Sequence, residues 1–163
     1  MTHSSAENRS SEYPDSHTVY SSSAALCVQY SKTVSKADTV IMEFAERNPD
    51  RKGYDWKHKR LFQLSKNDLS TVTAFFLWPW TTHELFHKNV SQGTKRVVLT
   101  SQQSNVLISY QCRTDRVRLP IVPEGQYYLR NLLMSRLFHS QPELPHSTHL
   151  QSLHRLSQDL SKT

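Results

Sequence analysis

Tyr54-Asp55-Trp56-Lys57-His58-Lys59-Arg60-Leu61-Phe62-Gln63-Leu64-Ser65-Lys66-Asn67-Asp68 contains the change of period on which the fold turns. From residue 56 to 64 the side chains alternate. Trp56, Phe62 and Leu64 fall on one face, and Lys57, Lys59 and Gln63 on the other. That is the pattern of a half-buried strand, and it places Trp56 in the core. At Ser65 the pattern changes. A serine can accept from the open backbone N–H groups of a helix start, and an acid three residues on suits the positive end of the helix dipole. The spacing predicts a helix over 66–77 with Leu69, Val72, Thr73 and Phe76 on one side, ended by Pro79 between Trp78 and Trp80.

The same alternation extends in both directions. Upstream, Leu26, Val28 and Tyr30 predict a strand over 24–30, and Val40, Met42 and Phe44 another over 39–45. Asn48-Pro49-Asp50 through Gly53 is a turn cluster. Downstream, strands are predicted over 82–87, 94–101, 105–112 and 116–121. Pro123 and Glu124 then open a helix with Tyr128, Leu129, Leu132, Leu133 and Leu137 on its apolar face. Pro142 and Pro145 interrupt it, and Leu150, Leu153, Leu156 and Leu160 predict a last, weakly amphipathic helix. Strands, helix, strands, helix is an α+β order built from antiparallel hairpins. The organisation expected is a Ser-rich disordered arm over 1–23, one folded domain over 24–140, and a tail over 141–163 with a short helix.

Composition narrows the function classes. The chain has 163 residues, 36% hydrophobic and 10% aromatic, which suits one domain with polar ends. No run of 18 apolar residues is present, so no membrane-spanning helix is expected. Three glycines leave no G-x-G-x-x-G and no P-loop. The net charge is +6, but residues 32–141 carry 17 Lys and Arg against nine acids, a surplus of +8. A basic, aromatic-rich centre points to a polyanionic partner. Cys27 and Cys112 lie in apolar runs and are expected to be buried free thiols in a reducing compartment. Arg9 is the only cation among the first 30 residues, beside Glu7, Glu12 and Asp15. Neither a secretory signal nor an Arg-rich mitochondrial presequence is read there.

His83-Glu84-Leu85-Phe86-His87 matches the H-E-x-x-H zinc hydrolase pattern, which requires a helix with both histidines one turn apart. Here Thr82, Glu84 and Phe86 alternate with His83, Leu85 and His87. In a strand the glutamate points away from both histidines. A third ligand is also missing nearby. His146, His149 and His154, in a Ser-rich tail, are expected to be solvated. No catalytic constellation, no metal site and no cofactor are expected, and the protein is read as a non-enzyme. The zinc hydrolase is retained only as the rival of another class.

The basic and aromatic residues form a better pattern. Lys57, Lys59 and Arg60 follow Tyr54 and Trp56; Lys95 and Arg96 share a later strand; Arg113, Arg116 and Arg118 surround another. Arg116 and Arg118 alternate with Val117 and Leu119, so a sheet would be apolar inside and cationic outside. Extended cations can follow a phosphate backbone, and aromatic faces can stack on unpaired bases. Tyr54, Lys57, Lys59, Arg60, Lys95, Arg96, Arg113, Arg116 and Arg118 are the candidate nucleic-acid contacts.

The run from Tyr54 to Ser65 also resembles the signature of the Whirly superfamily of single-stranded nucleic-acid-binding proteins. Ala24-Ala25-Leu26 with Val28 is similar to its first strand, and residues 40–44 to the strand before the signature. Glu84 with Phe86-His87 is similar to its Glu-Phe-Phe-His strand, and Pro120-Ile121 to its Pro-Val before the last helix. The resemblance implies two four-stranded antiparallel sheets packed crosswise, each followed by a helix. It also implies a tetramer joined through the helices, with Leu132 and Leu133 in that contact, and sequence-tolerant binding of single strands on the outer sheet surfaces. Ser21-Ser22-Ser23 stands where plant members have Lys-Gly-Lys, and Phe138-His139-Ser140 where they have a Gly-Trp segment. The resemblance therefore leans to the mitochondrial guide-RNA-binding proteins of kinetoplastids, which anneal guide RNA to messenger RNA in RNA editing. The expected protein binds single-stranded RNA, DNA or both, as a homotetramer or with a homologous subunit, in the mitochondrion. A single-stranded DNA-binding role in organellar genome maintenance or transcription, in chloroplast or nucleus, is the alternative.

Overall fold

The computed structural model describes residues 15–89 and 91–163. The chain runs through β1 (Ser16–Tyr20), β2 (Ala24–Lys32), β3 (Asp38–Glu46), β4 (Arg60–Gln63) and α1 (Lys66–Leu77). It continues through β5 (Thr82–His87), β6 (Lys95–Gln102), β7 (Asn105–Cys112), β8 (Asp115–Ile121), α2 (Pro123–Ser140) and α3 (His146–Leu160). Pairing is sequential and antiparallel, giving one sheet β1-β2-β3-β4 and another β5-β6-β7-β8, each followed by a helix. This is the expected α+β architecture. α1 begins with a full capping box: Ser65 Oγ accepts from the Asp68 N–H at 3.1 Å, and an Asp68 carboxylate oxygen accepts from the Ser65 N–H at 3.0 Å. The shorter aspartate thus closes a motif usually completed by glutamate.

The two sheets cross, and β4 shows how. Arg60 bonds Asp115 at the start of β8, the Leu61 carbonyl accepts from Lys95 Nζ of β6 at 3.1 Å, and Phe62 stacks on His87 of β5 at 4.0 Å. Three successive residues of one strand therefore meet three different strands of the other sheet. Between the sheets Phe44 and Tyr110 pack at 5.5 Å, in one core with Leu26, Met42, Leu99, Ile108 and Leu119. Burying each such side chain stabilises the fold by about 1.5–3 kcal/mol. Burial also pushes the Tyr110 phenol up to about 12. Helix α1 contributes Leu69, Phe75 and Phe76 to this core, and α2 contributes Leu129, Leu132 and Leu133. Leu132 and Leu133, expected between subunits, are thus interior residues of the protomer. Gly125 lets α2 approach β1, because a Cβ there would lie 2.9 Å from Val19 Cγ1.

Four expectations need correction. β1 lies inside the 1–23 segment expected to be a disordered arm. It pairs with β2 through Val19↔Leu26 and its neighbours, with Val19 buried. As an edge strand of mixed polarity it shows no apolar run in the sequence. Residues 1–14 lie outside the described residues. The strand expected over 56–64 begins only at Arg60. Asp55 accepts from the His58 N–H and caps a 3-10 turn, Trp56–His58, which a local side-chain bond favours over a strand. Trp56 is therefore half-buried rather than core, and Lys57 sits exposed on a turn. The tail contains the fifteen-residue α3, docked on α1 with Leu153 buried and His154 4.7 Å from Trp78. Within it His149 is buried against Phe138, not solvated. Finally, Cys27 and Cys112 are free thiols but half-buried: Cys27 lies on the outer face of the first sheet opposite Glu43, and Cys112 ends β7 at the margin of the core.

Candidate nucleic-acid interface

Each sheet has one face in the core and one outside it. Cross-strand register assigns the outer face of the second sheet. One row across its four strands is Phe86, Arg96, Gln111 and Arg116; the next is Glu84, Val98, Ser109 and Arg118. With neighbouring strands about 4.8 Å apart, each row spans roughly 14 Å. Phe86 is 55% exposed on this surface, and Arg116 and Arg118 are also exposed. Three arginines against one glutamate make the face cationic, and an exposed aromatic ring lies at its edge. An exposed ring beside fixed cations suits an unpaired base joined to phosphates.

The outer face of the first sheet is different. Its strand positions include Thr18, Tyr20, Cys27, Gln29, Ile41, Glu43, Leu61 and Gln63, without a cation. Lys59 reaches Glu43 at 3.0 Å, and Glu43 also accepts from Gln29 at 2.7 Å. The 64% exposed Tyr20 ring lies 5.4 Å from Tyr54.

The nine candidate residues separate into groups. Arg96, Arg116 and Arg118 share the outer face of the second sheet. Lys95, next to Arg96, points to the opposite side and holds the Leu61 carbonyl. Arg60 is committed to Asp115, with both nitrogen contacts at 2.9 Å, and the resulting hydrogen bonds hold its guanidinium above the usual arginine range. Arg113 occupies the β7–β8 turn at φ 55° and donates to the Ser91 carbonyl at 3.3 Å. Tyr54 donates its hydroxyl proton to the Ser21 carbonyl at 2.6 Å and accepts from Arg47 at 2.9 Å, which fixes the β1–β2 turn. Lys57 and Lys59 lie at the entrance to β4. The residues not singled out in advance are Phe86, Gln111 and Tyr20. Phe86 was legible: its alternation with Leu85 puts an aromatic on the polar side of β5. Tyr20 lay in a segment without strand signals.

The H-E-x-x-H segment is β5, so His83 and His87 face the core side and Glu84 the outside. His87 bonds Asp68 at 2.9 Å. His83 packs at 5.4 Å from Trp80, and burial holds its imidazole below the usual range against the pull of Asp68 and Glu84. The helical geometry required for zinc hydrolysis is not formed. Among the described residues no group of three His, Cys, Asp or Glu converges, and no helix is long and apolar enough to cross a membrane.

A family model described as Whirly transcription factor matches residues 19–106, from β1 into β7. No curated protein and no solved structure matches the chain significantly.

Proposed function

The chain belongs to the Whirly family, and from that premise we propose that it is a non-enzymatic, sequence-tolerant binder of single-stranded nucleic acid, working through the outer face of its second sheet. The observation that carries this reading is the surface of Phe86, Arg96, Gln111, Arg116 and Arg118, one exposed ring among cations. Phosphate contacts supply affinity there, and stacking favours unpaired bases over a closed duplex. The proposed surface is a sheet face rather than a helix aimed at base edges in a groove, so the expected sequence preference is weak. Lys57 and Lys59, exposed just before β4, extend the path for the backbone.

RNA and DNA both offer phosphates and stackable bases. We propose RNA as the ligand, with guide-RNA and messenger-RNA annealing in mitochondrial RNA editing or processing as the role; the departures from the plant pattern at Ser21-Ser22-Ser23 and Phe138-His139-Ser140 support it. The second reading is a single-stranded DNA-binding protein in organellar transcription or genome maintenance. The description of the matching family as transcription factors favours that one. Assembly as a homotetramer, or with a homologous subunit, is part of the proposal. Its support is an apolar groove of about 650 Å³ along α2, lined by Tyr127, Tyr128, Met134 and Phe138 among others. Competition between single-stranded RNA, single-stranded DNA and duplex of one sequence tests the ligand class. The reading requires either single strand to displace the duplex.

A further inference from the structure

On the cationic face the one acid is Glu84, and it is placed against a cation of that face. Glu84 is the Cα partner of Val98, which puts Arg96 on the diagonal of the same surface, within reach of a long side chain. The Arg96 guanidinium donates through Nη2 to the Glu84 carboxylate and lies 5.7 Å from the centre of the Phe86 ring. Both charged side chains remain partly open to solvent, at 41% and 36% exposure. Arg96 Nε, in contrast, is buried and has no hydrogen-bond partner. Arg116 and Arg118 have no such carboxylate partner among the described residues; Arg116 donates only to the Gln111 side-chain oxygen at 3.2 Å.

The arrangement has consequences for a phosphate. An ion pair on a wet surface is weak and exchangeable. A phosphate oxygen competes for the same guanidinium and is repelled by the same carboxylate. With Arg96 drawn to Glu84, its guanidinium also lies against the ring on which a base would stack. An unpartnered buried Nε makes the resting pose costly, so the arginine gains by moving to a better acceptor.

We propose that Glu84 is an internal competitor for nucleic-acid phosphate. It holds Arg96 against Phe86 in the free protein, and a bound single strand displaces it, releasing the guanidinium to a phosphate and the ring to a base. Glu84 is thus a determinant of affinity and release rate on this face. The inference rests on the single-strand binding reading above.

The test is a double-mutant cycle on the full chain with Glu84→Gln, Arg96→Gln and the double variant. A fluorescent single-stranded oligonucleotide is titrated between 50 mM and 1 M salt, and melting confirms folding. Glu84→Gln frees one cation. One added phosphate contact is worth about eightfold in affinity at 50 mM relative to 1 M salt, with a log–log slope steeper by ~0.7. That gain should vanish in the Arg96→Gln background, because the effect passes through Arg96. A gain of equal size without Arg96 would mark a general charge effect and overturn the proposal. Unchanged or weaker binding by Glu84→Gln would overturn it as well. If the unmutated chain binds no single strand at any salt, the functional reading itself fails, an outcome separate from these two.

Discussion

Arg60 of β4 and Asp115 of β8 form a two-point ion pair, Nε and Nη2 each 2.9 Å from a different carboxylate oxygen, across 55 positions of sequence. Arg60 also lies 3.5 Å from Glu46. The pair ties an edge of the first sheet to an edge of the second. A cation expected to meet nucleic acid is therefore a joint between the sheets. Arg60→Gln should lower stability by about 1.5–3 kcal/mol, the range for a hydrogen bond to a charged group, and by less if the half-exposed Asp115 finds water. The salt dependence of single-strand binding should stay unchanged when measured on folded protein. Thermal melting beside a salt titration checks both halves; a reduced slope with an unshifted melting point would return Arg60 to the binding face.

Phe86 is the reverse case, a large apolar side chain that the fold leaves exposed. Phe86→Ala should leave melting almost unmoved. If a base stacks there, binding should weaken by about 5- to 150-fold, the equivalent of ~1–3 kcal/mol per stacked base. The loss should be similar for different base compositions. Fluorescence titration with homopolymeric oligonucleotides measures it.

Acid should destabilise the fold in two stages. Burial holds His83 and His17 below the ordinary histidine range, opposed by nearby acids. The unfolded chain therefore takes up their protons first, and stability present above about pH 6.5 is lost as pH falls towards the folded values. Asp38 acts lower. Burial alone would raise its carboxyl, but hydrogen bonds from His139 and Lys32 and the charge of Arg136 hold it below the ordinary carboxylate range. Its contribution is present above about pH 3.9 and is lost as pH falls through the folded value. Asp38→Asn should cost stability at pH 7 and flatten the acid limb. An unchanged acid limb in denaturant titrations would contradict this assignment.

Assembly can be probed without touching the core. Tyr127 is 53% exposed on α2 and lines its apolar groove, whereas Leu132, beneath that groove, and Leu133 are buried in the core. Tyr127→Glu would place a charge in a subunit contact there, at an unfavourable desolvation cost. It should give smaller species by light scattering with the fold retained. A mass unchanged from that of the unmutated protein would move the contact elsewhere; a monomeric unmutated protein would remove the proposed tetramer.

Much of this was legible because two periods differ clearly in the sequence. The change at Ser65, the alternation in 105–112 and the helical leucines after Pro123 reflect burial on one face, which period alone encodes. Trp56 was misread because alternation cannot register a local bond: the Asp55 carboxylate capping the His58 N–H turns the chain before the strand begins. β1 was missed because an edge strand needs only Val19 inside. At the site, Arg116 and Arg118 followed directly from their alternation with Val117 and Leu119. Arg60 and Lys95 could not be sorted in the same way, since their partners, Asp115 and the Leu61 carbonyl, are distant in sequence and contact them only after the sheets cross.

The central claim is that single strands bind through the outer face of the second sheet. The most direct measurement is the salt dependence of binding for the unmutated chain and for Arg116→Gln with Arg118→Gln, on one oligonucleotide as a single strand and as a duplex. The account predicts that the unmutated chain prefers the single strand. It also predicts that the double variant melts normally and that its log–log slope is shallower by ~1.4, two contacts at ~0.7 each. Equal or tighter binding of the duplex, or an unaltered slope in a folded double variant, would contradict it.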